Sequence, residues 1–171
     1  MTCIVGIKHD GHVYIGTDSR VSSIPSGAIV YLEAGKLVKI GKLLVGCAGS
    51  FAAVQTLRHA IPKVDLTGKP NDAMYKFTRE LRRHIVDSGQ DERGGHYMAA
   101  WGSNLYEIDS DFAFAQASAD TLAIGNGAEY AFGALYATAH ITDPRKRITI
   151  ALEAAAHYDS MTAPPFIIER T

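Results

Sequence analysis

The residue with the plainest chemistry stands second in the chain. Thr2 follows Met1, and once Met1 is removed it carries a hydroxyl and a free α-amine, a nucleophile with its own base. A threonine hydroxyl is too weak an acid to attack an amide unaided, whereas an α-amine titrates at roughly 7.7–8.0 and can take up that proton near neutrality. The unit also needs a fixed cation nearby, to hold the amine neutral and to stabilise the alkoxide. Lys36, Lys39 and Lys42 are the candidates a few strands on, and strand alternation does not choose among them. With Met1 attached, Thr2 offers an amide in place of an amine and this chemistry is closed; removal is expected, because methionine before a small residue is usually cleaved. Taken alone, Thr2 also fits an ordinary first strand.

The elements that must position these groups can be read along the chain. CIVGI and HVYIG are apolar runs joined through Asp10-Gly11, the dipeptide best suited to a tight hairpin. Asp18 and Arg20 end the second strand, and SSIPSG is turn chemistry punctuated by Pro25 and Gly27. AIVYL, KLVKI and KLLVGCAG then read as three more strands, separated by Glu33-Ala34-Gly35 and Gly41-Lys42, so that five strands in succession imply an antiparallel sheet. SFAAVQTLRHAI has Ser50 as N-cap and Phe51, Val54, Leu57 and Ile61 at helical spacing, with Pro62 marking its end. VDLTGKP is a loop, and NDAMYKFTRELRRHIVDS resumes the helical period with Met74, Phe77, Leu81 and Ile85 on one face and Arg79, Arg82 and Arg83 on the solvated side.

After the polar loop GQDERGG come the short strands YMAAWG, LYEID and FAFAQA, then the buried strand candidate TLAIG. GNGAEYAFGALYATAH is a nearly all-apolar helix, expected to be covered on most sides, with Asn126 a fitting N-cap. DPRKRITIALEAAAHYDS opens on an Asp143 cap with Pro144 in the first turn and carries Ile148, Leu152 and Ala155 on one face. PFIIER is a last strand. Strands and helices are grouped rather than alternating. This predicts an α+β fold of four layers, two mostly antiparallel sheets face to face with helices covering the outside.

Bulk properties narrow the function. A chain of 171 residues with 47% hydrophobic and 20% charged content fits one domain over 1–171. A formal net charge of −1 without like-charge runs gives no footprint for nucleic acid or an anionic membrane. No apolar run approaches membrane-spanning length and no secretory leader is evident, so the cytoplasm is expected. Cys3 and Cys47, the two cysteines, sit in apolar runs and suit a reducing compartment. The seven histidines form no metal-ligand spacing, and His9 and His12 flank the first turn. Gly125-x-Gly127 has Tyr130 where a dinucleotide fingerprint needs its third glycine. No G-x-x-x-x-G-K-[ST] is present, so any ATP-driven step would belong to another chain. Neither metal nor cofactor is expected.

Several separated stretches resemble one family, in family order and over nearly the whole chain. TCIVGIKHDGHVYIGTDSR resembles the start of mature proteasome β-subunits and of the bacterial HslV-type peptidase. GKLVKI is similar to that family's lysine-bearing strand, LLVGCAGS to its glycine turn before a helix, TLAIGNGAEYAFGAL to its Gly-Ser-Gly helix start, and HYDSMT to its Asp-Ser-x-Ser element. The resemblance implies the Ntn-hydrolase αββα sandwich, with Thr2 as nucleophile and its α-amine as base. It implies Asp18 and Lys36 as the charged pair beside it, Gly49 as a backbone oxyanion donor, and Cys47 as a residue shaping the substrate pocket. Asn126 stands for the family's serine at the helix start, and Asp159 and Thr162 for its Asp and second Ser, while Ala163, Pro164 and Pro165 replace its glycines. The resemblance further implies a homo-oligomeric double ring around a closed chamber, fed with unfolded protein by a separate ATPase ring. Two alternatives share the architecture: a catalytically silent ring or assembly subunit, and a small-molecule amidohydrolase of the same broad fold.

Overall fold

The structure is a computed structural model that describes residues 2–22, 29–33, 35–61, 67–89 and 95–171. The turn expected at Pro25 and Gly27, Pro62, Ala34, residues 64–66 of VDLTGKP, most of the GQDERGG loop, and the fate of Met1 lie outside the described residues; the first helix itself ends at His59, short of the expected Ile61.

The first hairpin forms as its sequence dictates. Asp10 and Gly11 take φ of 47° and 76°, the left-handed pair that a two-residue turn needs to match strand twist, and they join β1 (Cys3–His9) to β2 (His12–Asp18). These strands are central to a four-stranded sheet in the order β10-β1-β2-β11, flanked by β10 (Thr121–Gly125) and β11 (Phe166–Arg170). A second sheet runs β5-β6-β7-β8-β9, from β5 (Leu37–Ile40), β6 (Leu43–Gly49), β7 (Gly95–Trp101), β8 (Asn104–Ile108) and β9 (Phe114–Gln116). All described pairings are antiparallel.

The first strands do not make one sheet, as their succession had implied. β1 and β2 enter one sheet, β5 and β6 the other, and between them β3 (Arg20–Ser22) and β4 (Ile29–Tyr31) pair as a separate ribbon. Pairing gives the reason. The outer edge of β1 is bonded to β10 and that of β2 to β11, so β5–β6 finds no free edge on this hairpin and packs across its face in the other sheet.

Three apolar layers result. Ile4, Ile15, Leu37, Leu44, Met98 and Leu105 fill the space between the sheets. On the outer face of the five-stranded sheet, Leu43, Val45 and Cys47 meet α1 (Phe51–His59) and α2 (Pro70–Asp87), whose Val54, Leu57, Met74, Phe77, Leu81 and Ile85 form the expected inward face. Each large side chain so buried contributes about 1.5–3 kcal/mol. Pro70, read as loop, is instead the first residue of α2, where its missing N–H costs nothing. On the outer face of the four-stranded sheet, Cys3, Val5 and Ile7 meet α3 (Ala128–Ala137) and α4 (Pro144–Tyr158). α4 starts as predicted, with the Asp143 carboxylate accepting from the Arg145 amide at 2.9 Å. α1 likewise has its Ser50 cap, accepting from Ala52 at 3.1 Å.

α3 departs from expectation. It is not covered on most sides: only Ala131 and Leu135 are buried, whereas Tyr130, Phe132 and Tyr136 lie open. Small alanines let α3 and α4 approach each other closely, which turns the aromatic residues outward. No helix among the described residues is long and apolar enough to cross a membrane.

Candidate active site

Strand register brings the chemistry together. Cys3 stands opposite Gly125 on one side, and Ile4 opposite Thr17 on the other, so the ends of β1, β2 and β10 meet and carry Thr2, Asp18 and Gly125 to one spot. Thr2 is 1% exposed, Asp18 fully buried and Lys36 5% exposed. Lys36 Nζ donates to both carboxylate oxygens of Asp18, at 3.0 and 2.9 Å. The same carboxylate accepts the Cys3 amide at 3.2 Å and the Arg20 amide at 3.1 Å. Asp18 thus ties the ammonium to the peptide unit that follows Thr2.

Burial pulls both partners toward neutrality. It pushes the Asp18 carboxyl up, against the Lys36 ammonium and the amide donors, and it pushes Lys36 down, against the Asp18 charge. Their mutual hydrogen bonds are what keep a charge in this interior. Lys39 and Lys42 are exposed and line a cavity elsewhere, so Lys36 is the one of the three that is paired with Asp18.

Thr2 opens onto a cleft of about 410 Å³ shared with Ala48, Gly49, His96, Gly125 and Asn126. Gly49 ends β6, facing Gly95 across the ladder. Gly125 has a φ of 89°, and a Cβ there would collide with the Thr2 carbonyl oxygen. Only glycine lets the β10–α3 turn lie this close to the terminal residue.

No family model matches the chain. Curated relatives do. The ATP-dependent protease subunit HslV of Cytophaga hutchinsonii is 23% identical over 180 residues, covering 98% of this chain and 94% of that protein. HslV of a Sulfurihydrogenibium species is 25% identical, with 98% and 95% covered. The proteasome subunit β type-9 of Salmo salar is 29% identical over 110 residues, 55% of this chain and 50% of that protein. The chain is thus similar, over nearly its whole length, to HslV-type peptidases and in part to proteasome β-subunits. Solved structures agree on the fold. BPH of Thiobacillus denitrificans in complex with epoxomicin superposes with a TM-score of 0.85 at 16% identity, over 99% of this chain and 98% of that one. HslV of Trypanosoma brucei superposes at 0.70 with 22% identity, over 99% and 98%. The αββα sandwich is therefore the Ntn-hydrolase fold.

The remaining family positions divide. Asn126 lines the cleft, but the N-cap of α3 is Gly127, without a side-chain bond; Asn126 is thus not the cap expected of it. Asp159 caps the C-terminal end of α4 and closes a turn, accepting the Thr162 hydroxyl at 2.7 Å and the Met161 amide at 3.1 Å. Neither Asp159 nor Thr162 lines the cleft, yet the Asp159 charge reaches Cys3, whose thiol it helps to push up.

Cys47 is not among the residues that line this cleft. On β6 the odd positions face α1 and α2 and the even positions face the other sheet, so Cys47 lies in the helix-covered core and Ala48 lines the cleft. The same alternation carries His96 inward beside Met98 and Ala100. Its imidazole Nε2 lies 2.8 Å from Glu107 Oε1, and it is the residue that sequence reasoning missed. A strand paired to β6 in the observed register would have exposed it, because His96 stands opposite Ala48. Among the described residues, no group of three or more His, Cys, Asp or Glu side chains is placed to hold a metal.

Proposed function

We propose that this chain is a threonine-type endopeptidase subunit, active once Met1 is removed. The amine of Thr2 takes the proton of its own hydroxyl as Oγ1 attacks a peptide carbonyl carbon. The negative charge formed on the carbonyl oxygen meets the Gly49 amide, a kind of donor worth on the order of 3 kcal/mol in comparable sites. As the C–N bond breaks, the ammonium returns its proton to the leaving amine and an acyl ester remains on Thr2. Water, deprotonated by the same amine, attacks the ester; the acid departs and Oγ1 recovers its proton. Lys36 holds the amine neutral and stabilises charge on Oγ1, while Asp18 keeps Lys36 in place. Asn126 flanks the amine from the cleft wall, and Asp159 with Thr162 braces the turn behind it.

The observation that carries this reading is the buried Lys36–Asp18 pair bonded to the Cys3 amide. A buried ammonium beside a terminal hydroxyl has no packing value and costs desolvation, whereas it is what amine-assisted acyl transfer requires.

The subunits assemble as a homo-oligomeric double ring in the cytoplasm, and a separate ATPase ring supplies unfolded protein. Support for self-association comes from the open rings of Tyr130, Phe132, Tyr136 and Tyr158 and from the exposed β4 residues Ile29, Val30 and Tyr31. Apolar surface gathered in this way marks contact surfaces.

Intact-mass measurement with a peptide epoxyketone tests the chemistry. We expect a mass short of one methionine and a single adduct on Thr2, with Thr2→Ala devoid of both adduct and turnover. Retained methionine in the assembled particle, or processed protein that neither labels nor hydrolyses peptides, would leave a silent ring subunit.

A further inference from the structure

A cavity of about 520 Å³ at the other end of the five-stranded sheet has no part in this chemistry. It lies where the β5–β6 and β7–β8 turns run side by side, since Leu43 pairs with Trp101. Gly49, at the cleft, is six residues along β6 from Leu43, roughly 20 Å away at the usual strand rise. The volume falls within the range of small-molecule sites.

Its lining has a consistent chemistry. Lys39 projects from β5 and Lys42 from the neighbouring turn, both exposed. Neither takes part in an ion pair among the described residues, and no Asp or Glu side chain lines the cavity; Thr171 completes the lining, its hydroxyl donating to the Gly102 carbonyl at 2.8 Å. Trp101 and Pro70 supply an apolar wall, and the Ser103 hydroxyl stands on the same lining. Gly41 and Gly102, at φ of 62° and 59°, have nothing within 4 Å of where a Cβ would be, so the rim is open. The Asn104 amide fixes the wall, donating to the Trp101 carbonyl at 3.3 Å and accepting from Gln116 at 2.9 Å. A larger cavity, about 890 Å³ beside α2, sets Arg79, Arg82 and Arg83 against Glu80, Asp87 and Asp111 and has no net charge with which to select a ligand.

From these features we infer that the Lys39–Lys42–Trp101 cavity binds a small aromatic phosphate, a mononucleotide in chemical class. Two unpaired ammonium groups match a phosphate dianion, and an indole wall offers a flat ring a stacking face. Two lysines alone would hold any anion weakly; the indole beside them selects one that carries a ring.

Trp101 is the single tryptophan of the chain and so reports its own site. AMP titrated into the full-length protein should quench tryptophan emission saturably with a Kd below about 1 mM, and calorimetry should give the same constant. Inorganic phosphate and adenosine should each bind at least about tenfold more weakly, since each keeps only half of the recognition. Lys39→Ala and Lys42→Ala should each weaken AMP by about tenfold, the size of one charged hydrogen bond, with unchanged thermal melting because both side chains are exposed. Trp101→Phe, followed by calorimetry, should retain the binding. No saturable response up to about 10 mM AMP, equal affinity for adenosine, or undiminished binding by the double lysine variant overturns the inference. Peptide hydrolysis is not a readout here, so this result stands apart from the fate of the peptidase reading.

Discussion

The Thr2 site and the α3–α4 face break the usual rule of burial in opposite directions. At the first, charges lie inside: Asp18 and Lys36 are removed from water and held by one another. At the second, large rings lie outside, with Tyr136 88% exposed and Tyr130 stacked on Tyr158 at 5.3 Å between centroids. Neither arrangement helps an isolated subunit to fold. α2 shows what an ordinary outer helix does, burying Phe77 and Leu81 and giving its arginines to solvent. On the function proposed, the difference separates groups that serve the fold from groups kept for chemistry in one place and for contact in the other.

The largest effect should come from removing the ammonium. Lys36→Ala leaves the Asp18 carboxylate buried without its partner, which costs about 3–5 kcal/mol, and turnover should vanish with it. Asp18→Asn combined with Lys36→Met removes both charges while leaving an acceptor for the Cys3 amide. This double variant should regain most of the stability by urea melting and none of the peptide hydrolysis. If the double variant is as unstable as Lys36→Ala, the pair serves the fold, and the contrast with the outer face fails.

A smaller effect follows from crowding Thr2. Gly125→Ala places a methyl against the Thr2 carbonyl oxygen in a backbone region that L-residues avoid, at about 1–3 kcal/mol. Gly89 has a similar φ of 72° but open space around it. Gly89→Ala should therefore show backbone strain alone and leave peptide hydrolysis as it was, whereas Gly125→Ala should lower kcat.

Much of this contrast was legible in the residues. The first hairpin followed from Asp10-Gly11, the inner face of α2 from its spacing, and the layer order from grouped strands and helices. Lys36 was nameable only by resemblance, because alternation cannot see a residue that precedes its strand in a turn. What escaped were consequences of pairing between distant segments. The split of the first strands over two sheets depends on the distant strands β10 and β11 taking the two edges of the β1–β2 hairpin. The inward place of His96 depends on β6–β7 register, and the outward turn of the α3 aromatics depends on how closely α4 packs. The surroundings of Cys47 depend on the same kind of fact: its face is set by which layer covers each side of β6.

The two thiols test how dry each region is. Burial, helped by the Asp18 and Asp159 charges and opposed by Lys36, pushes Cys3 from 9.0 up to about 12. Burial alone pushes Cys47 to about 12, again opposed by Lys36. A folded pKa above the unfolded one means that the native state keeps a proton the unfolded chain loses. Stability is then intact below pH 9 and falls as pH rises from 9 toward 12, by up to about 1.4 kcal/mol per pH unit for each thiol. Urea melts of the wild type and of the Cys3→Ala and Cys47→Ala variants over this range should differ in slope by that amount. Equal slopes would mean that water already reaches the thiols.

The smallest effect on the isolated subunit belongs to the outer face, and its smallness is the test. Tyr136 touches little of its own chain, so Tyr136→Ser should change monomer stability by no more than about 0.5 kcal/mol. If the open rings of α3 and α4 are kept for contact between copies, the same change should shift the protein toward smaller species in native mass measurement. Lys76→Ser, on the exposed side of α2, should alter neither. A Tyr136→Ser variant that melts as the wild type and assembles as the wild type would leave the exposed aromatics without a role in association, and the search for the contact surface would move to the open β4 ribbon at Ile29, Val30 and Tyr31.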